Sequence, residues 1–334
     1  MTFEQVRGTG RHNNLDLIRL AAAAAVVVSH AWPLAMGPGT AEPLKALTGH
    51  SLGGWAVGLF FFLSGVLITA SAETHAAAAF WSRRALRILP GLFVALVLGL
   101  ALAVLSGGHA DPGLALAYVL RGLTLVSIEH NLPGAWAANP YPGAVNGPLW
   151  SLFYEVAAYV LAFAAVRMGV LRPRGAPDAF LLMAVILWAN ASWMADYLPR
   201  VDVFAPLWLA FALGMVAWRC RAVLPLRWEI GALLWVFALA IGGWGFGMVA
   251  LGYSALLVGW RLPARPLPAD LSFGIYIYGW PVAQMIVHLA GAMPPSALAA
   301  ASLLTVLPVA WLSWTLVEAP ALRAARTARI QAAE

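Results

Sequence analysis

Polar residues along this chain are sparse, and they fall between long apolar runs. Ten of these runs predict transmembrane helices, at about 15–36, 52–71, 88–106, 149–167, 178–195, 203–219, 229–243, 245–260, 271–290 and 297–317, since helical crossings need roughly 18 or more mostly apolar residues. The stretch 229–260 is too long for one crossing, and its "GGWGFG" at 242–247 supplies a tight hairpin that divides it. A further run at 113–128 is short for a crossing and carries Arg121.

Charge decides how that run is read, because short cytoplasmic loops collect Lys and Arg. If 113–128 does not cross, 16 of the 20 basic residues gather on one side. They are Arg7 and Arg11, the Arg83/Arg84/Arg87 group, Arg167/Arg172/Arg174, Arg219/Arg221/Arg227, Arg261/Arg265 and Arg323/Arg326/Arg329. The other side receives only Lys45, Arg121 and Arg200. A crossing at 113–128 would destroy that bias. The prediction is therefore an all-α polytopic membrane protein of about ten transmembrane helices. Both termini are cytoplasmic, 113–128 is re-entrant or interfacial, and the Pro/Gly/Asn-rich 131–148 forms an external loop.

Composition agrees: 62% of residues are hydrophobic and 10% charged, with mean hydropathy +0.81, against roughly 25% charged in a soluble domain. The net charge of +6 belongs to these short loops, so it is not a nucleic-acid signal. The single cysteine, Cys220, excludes an internal disulfide and a cysteine-based metal cluster. The first run is too long for a signal-peptide core and has Arg19 inside it, so it reads as a retained span. With no stretch fit for a soluble domain, residues 1–334 are expected to form one integral membrane domain.

Candidate chemistry begins in "NNLDLIRLAAAAAVVVSHAWPL" at 13–34, which places Asp16, Arg19 and His30 in one apolar helix. Ionisable groups inside a span are expensive and point to function. The step from Arg19 to His30 is close to three helical turns, so both share a face about 16 Å apart along the axis. Asp16 precedes Arg19 by three positions and is expected to pair with it. Glu155, at a matching depth in "GPLWSLFYEVAAYV", is the expected partner of His30, with Trp150, Ser151 and Tyr154 just outside it. A carboxylate on one imidazole nitrogen makes the other a better base. In "FWSRRALRILPGL" (80–92), Arg84 and Arg87 share a helix face with Arg83 alongside, and forked guanidiniums suit phosphate oxygens. In "GLFFFLSGVLIT" (58–69), Gly58 and Gly65 permit close helix approach and Ser64 offers a hydroxyl at depth. The same polar groups could line the path of a multi-span transporter or lipid-linked saccharide permease. The lack of an internal repeat weighs against that alternative.

Taken together and in order, these segments resemble the acyltransferase-3 family of bacterial membrane O-acyltransferases. Its Leu-Asp-x-x-Arg and Arg-x10-His patterns match 15–30, and its Phe-Phe-x-x-Ser-Gly matches 60–65. The Arg-x-x-Arg matches Arg84 and Arg87, and Leu-Trp-Ser-Leu-x-x-Glu matches 149–155. "DLSFGIYIYGWPV" and "LVEAP" are similar to its late patterns, which fall on Tyr276, Trp280 and Glu318. The resemblance implies His30 as catalytic histidine with Arg19 its motif partner, and Glu155 as the family acid. It implies that Arg84 and Arg87, beside Arg83 and Ser64, hold the phosphates of acetyl-CoA or another acyl-CoA, with no metal. It further implies a saccharide or lipid-linked saccharide acceptor, a bacterial inner membrane, and either a homo-oligomer or a partner protein for any second step. The family usually has a histidine where this chain has Gly279.

Overall fold

A computed structural model describes residues 1–7, 13–125, 131–170, 176–198 and 200–324, with backbone only for 176–180. Arg11, Arg172, Arg174, Arg326 and Arg329, and the end of the predicted re-entrant segment (126–128), lie outside the described residues.

Among the described residues the fold is helical, with only two isolated β-bridges, Thr2 to Pro225 and Asn131 to Ala144. The helices are α1 (Phe3–Arg7), α2 (Leu15–Met36), α3 (Pro43–Thr48), α4 (Leu52–Thr74), α5 (Ala77–Leu105), α6 (Pro112–Thr124) and α7 (Trp150–Arg167). They continue as α8 (Ala176–Ala189), α9 (Ala191–Met194), α10 (Val201–Arg219), α11 (Trp228–Ile241), α12 (Trp244–Arg261), α13 (Ser272–Ala290) and α14 (Pro295–Ser313), which runs on into a π-helical turn at Trp314–Glu318. Among the described residues, six helical stretches are long and apolar enough to cross a membrane: Leu15–Met36, Leu52–Thr74, Ala77–Leu105, Gly147–Arg167, Val201–Arg219 and Pro295–Ala324. Large apolar side chains such as Phe237, Leu239, Leu304 and Leu316 stand exposed on outer helices, as lipid-facing residues do. This is a membrane protein.

Local sequence accounts for most element boundaries. The Ser51 side chain caps α4 by accepting from Gly54 N at 2.9 Å, and Asp111, followed by Pro112, caps α6 by accepting from Leu114 N at 2.9 Å. Gly242 and Gly243, with φ of 76° and 85°, make the α11–α12 hairpin where the "GGWGFG" signal falls. Two boundaries differ from the hydropathy pattern. The helix expected from 88 begins at Ala77, because the arginine segment is itself helical and Pro90 sits inside the continuous α5. The run at 178–195 breaks at Asn190, whose side chain donates to Ile186 O at 2.8 Å and competes with the helical ladder. Helix α6 has 13 residues, about 20 Å against the ~30 Å of hydrocarbon.

Helix α4 is central, packing most extensively on α10 and also on α2, α7 and α12. Glycines set the closest approach. A Cβ on Gly65 would stand 2.1 Å from Phe211 O, and one on Gly214 would stand 2.0 Å from Phe62 O. Either alanine would force two backbones apart. Helix α13, buried along nearly its whole length, lies between α14, α2 and α5. Arg167, Arg219 and Arg221 belong to one end of the bundle, the basic face. There Arg167 donates to His75 O at 2.9 Å, Arg221 pairs with Glu4 at 3.3 Å, and Arg219 pairs with Glu73.

Candidate active site

Asn14, just before α2, is buried and pins the start of that helix. Its side-chain nitrogen donates to Val258 O and Pro263 O at 3.1 Å, and its oxygen accepts from Arg265 N at 2.7 Å. The anchoring sets the rotation of α2, and Arg19 faces inward one turn later. Its guanidinium lies 3.4 Å from Asp270, which also accepts from Arg87 at 2.6 Å. Arg87 forks, its second nitrogen donating to Glu318 at 3.0 Å. Ser272 Oγ donates to Asp270 at 2.6 Å, Ser313 Oγ to Glu318 at 3.0 Å, and Tyr278 OH to Ser313 Oγ at 3.0 Å. The network therefore joins α2, α5, α13 and the π-helical turn. Burial alone would raise the Asp270 carboxyl, but the Arg87 and Arg19 charges beside it reverse the effect and hold it at about 2.

Two expected pairings are corrected here. Arg19 pairs with Asp270 rather than Asp16; the latter is exposed and makes no ion pair among the described residues. An i,i+3 spacing permits a contact on one helix, but a carboxylate shared with a second arginine across the bundle holds the guanidinium better. Nor does Glu155 meet His30. Glu155 instead accepts from Tyr159 OH one turn along α7, with Ser64 of α4 beside both. The His30 ring stands edge-on to Trp280, with centroids 5.1 Å apart and planes at 79°. Matching depth in two helices did not place the two groups on facing surfaces.

A cavity of about 1100 Å³ connects Arg19, Arg87, Ser272, Ser64, Glu155 and Tyr159. At the basic face it is lined by Arg7, Arg83, Arg84 and Arg221, and deeper by Arg19, Arg87, Ser64, Glu155 and Tyr159. It reaches Ser151 and Tyr276, whose hydroxyls are 2.6 Å apart, with Tyr276 also donating to Pro148 O at 3.0 Å. The two motif arginines of α5 have parted within it. Arg87 is committed to two carboxylates, whereas Arg84 folds back on Phe80, 4.2 Å over its ring and donating to its carbonyl at 3.1 Å. Trp150 and Tyr154 are not among the lining residues; Tyr154 stacks on Phe204, and Trp150 packs edge-on to Tyr154.

His30 and Trp280 also lie outside the cavity lining. Trp280 is one turn along α13 from Tyr276, so the imidazole sits just beyond the deep end. The 131–148 segment covers this region. Asn139 donates to Gln284 Oε1 at 2.8 Å, Asn146 to Ile277 O at 2.8 Å, and Ala144 O accepts from Trp280 Nε1 at 3.0 Å. At Gly279 a Cβ would stand 2.6 Å from Val27 Cγ2, so the glycine lets α13 lie directly on α2. Asp270 and Tyr159 are the site residues that sequence reasoning missed. Both were visible in sequence, Asp270 as a carboxylate opening the "DLSFG" segment and Tyr159 four residues after Glu155. Among the described residues, no three His, Cys, Asp or Glu side chains gather as a metal site.

The family model described as an acyltransferase domain matches residues 12–315. The chain belongs to the acyltransferase-3 family. It is 30% identical over 357 residues to "Nodulation protein 10" of Rhizobium leguminosarum bv. viciae, covering 94% of each chain. It is 28% identical over 337 residues to an "O-acetyl transferase" of Shigella phage Sf6, covering 92% of this chain and 95% of that one. No solved structure matches it. This chain is an O-acyltransferase of the membrane.

Proposed function

We propose that this acyltransferase takes an acyl group, acetyl above all, from cytosolic acyl-CoA. It passes the group through the membrane plane to a hydroxyl of a cell-envelope or extracellular saccharide. In this reading the chain is one integral domain of ten spans in a bacterial inner membrane. Both termini are cytoplasmic, the basic face is the donor side, and α6 lies in the interface. The observation that carries the reading is the cavity, which runs from arginines at one face to buried hydroxyls near His30. The O-acetyl transferase relative supports acetyl as the group and oxygen as its destination.

Arg83 and Arg84 meet the donor phosphates, and the pantetheine arm follows the cavity past Arg19 and Ser64 toward Ser151 and Tyr276. The ~16 Å between Arg19 and His30 along α2 is of the order of such an extended arm. Arg87, held by Asp270 and Glu318, fixes the arginine-lined wall rather than gripping the donor. His30 takes the proton of the acceptor hydroxyl as its oxygen attacks the thioester carbonyl; the C–S bond breaks and the thiolate leaves to be protonated by the imidazolium. Brief carriage of the acyl group by His30 itself would use the same geometry. Tyr276 and Ser151 stand between thioester and imidazole, so one of them must move for the two to meet.

The test uses purified protein in lipid vesicles with radiolabelled acetyl-CoA and a saccharide acceptor. Wild type should release CoA in an acceptor-dependent way. His30→Ala should lose about 10²–10⁴ in turnover, and Arg84→Ala should raise the KM for acetyl-CoA. Near-normal turnover by His30→Ala would overturn the assignment of the base.

A further inference from the structure

The mouth of the cavity has two walls. One is α5, carrying Arg83 and Arg84. The other is built partly from the first seven residues of the chain, including Glu4 and Arg7. A five-residue helix does not persist alone in water, and here an anchor holds it. Phe3 is fully buried, edge-on to Trp260 at 4.8 Å and to Trp218 at 6.5 Å. Phe3 N donates to Leu224 O at 2.8 Å, Glu4 N to Arg221 O at 2.9 Å, and Leu226 N to Met1 O at 3.1 Å.

The anchor delivers a guanidinium to the cavity. The Arg7 guanidinium carbon lies 4.5 Å from the Trp218 ring, and that of Arg221 lies 4.5 Å from the same ring. Arg221 is offset by Glu4 at 3.3 Å and Glu73 at 4.0 Å, while Glu73 also takes Arg219. Two arginines thus share these two carboxylates. Arg7 has no carboxylate partner among the described residues. Stacking on an aromatic face fixes the plane of a guanidinium while leaving its edge donors for an anion. Two guanidiniums on one ring at the cavity mouth present their edge donors to the same space.

We infer that Arg7 and Arg221 form a second phosphate subsite at the cavity mouth, apart from Arg83 and Arg84, which takes the phosphate farthest from the thioester. It rests on the acyl-CoA reading above and adds a specificity. The subsite selects a donor whose nucleotide carries a ribose phosphate monoester over a donor lacking it.

Initial rates with acetyl-CoA and with acetyl-(3′-dephospho)-CoA test it. Wild type should show a KM lower for acetyl-CoA by about tenfold or more, the worth of a charge-assisted contact, with kcat alike. Arg7→Ala should raise the KM for acetyl-CoA to the dephospho value and leave the dephospho KM unchanged. Phe3→Ala, which unseats α1, should do the same, and Arg7→Lys should recover part of the preference. Arg7 is exposed, so its variant should melt with wild type. Equal KM values for the two donors in wild type, or an unchanged ratio in Arg7→Ala, would overturn the subsite and leave the acyl-CoA reading intact. No turnover and no CoA binding in folded wild type would overturn the donor reading and the subsite with it.

Discussion

The two ends of the cavity are held in opposite ways. At the basic end, Arg19, Arg87, Asp270 and Glu318 exchange ion pairs of 2.6 to 3.4 Å across four elements, and their oxygens accept further bonds from Ser272 and Ser313. Just beyond the far end, outside the lining, His30 has an aromatic edge for a neighbour and makes no hydrogen bond with any described residue. A charge network in a membrane protein fixes geometry, because losing one member strands the others in a poor solvent. An imidazole with open nitrogens fixes little and remains available for chemistry. Stability should therefore reside at one end and turnover at the other.

Asp270→Ala attacks that contrast at its strongest point. It leaves Arg19 and Arg87 without their shared carboxylate, a loss of about 3–5 kcal/mol for a buried pair. The lower part of that range is expected, because the Asp270 side chain keeps 16% of its exposure. Thermal melting in detergent should fall further for this variant than for any substitution at Gly279 or His30. A melt within a degree of wild type would mean that the network contributes nothing to holding the helices.

Acid sharpens the same point without a mutation. The folded protein holds the Asp270 carboxyl at about 2, so the fold binds that proton more weakly than the unfolded chain. The stabilisation is complete above the unfolded value of about 4 and fades as pH falls toward 2; its size is roughly 2 kcal/mol. Melting temperature measured from pH 5 down to 2 should fall in that window, and Asp270→Asn should fall less steeply. Parallel curves would show that other carboxylates dominate acid unfolding.

Gly279→His tests how far this chain can return to its family's pattern. The new Cβ would press on Val27, a branched side chain with little rotameric freedom. Overpacking of this kind costs roughly 1–2 kcal/mol. Adding Val27→Ala should recover most of it, and if the single variant melts like wild type, α13 and α2 are less closely set than their contact implies.

These cases also mark what the sequence could and could not tell. Apolar length located the long helices and the Gly242–Gly243 hairpin, since both follow from the residues within each segment. Family motifs picked out Arg19, Ser64, Arg84, Glu155 and Tyr276, which line one cavity. Pairings between helices were not legible. The residue that holds Arg19 lies 251 positions away in sequence, and helical spacing reports which residues share a face without saying what that face meets. The same limit misdirected His30 toward Glu155, because depth fixes one coordinate and the rotation of two helices fixes the rest.

His30→Gln should have the smallest effect on the fold and so closes the contrast from the other side. It removes one edge contact with Trp280, of a kind worth about 0.5–1.5 kcal/mol, and the amide keeps polar capacity at the position. The expected loss of stability is less than about 1 kcal/mol. Turnover should nonetheless fall as far as in His30→Ala, since glutamine cannot accept the acceptor's proton. Asp270→Asn should show the reverse balance, a lower melting temperature with turnover retained in whatever fraction stays folded. If both variants instead lose stability and turnover in proportion, the two ends of the cavity are one cooperative unit, and the division of labour between charge network and imidazole does not hold.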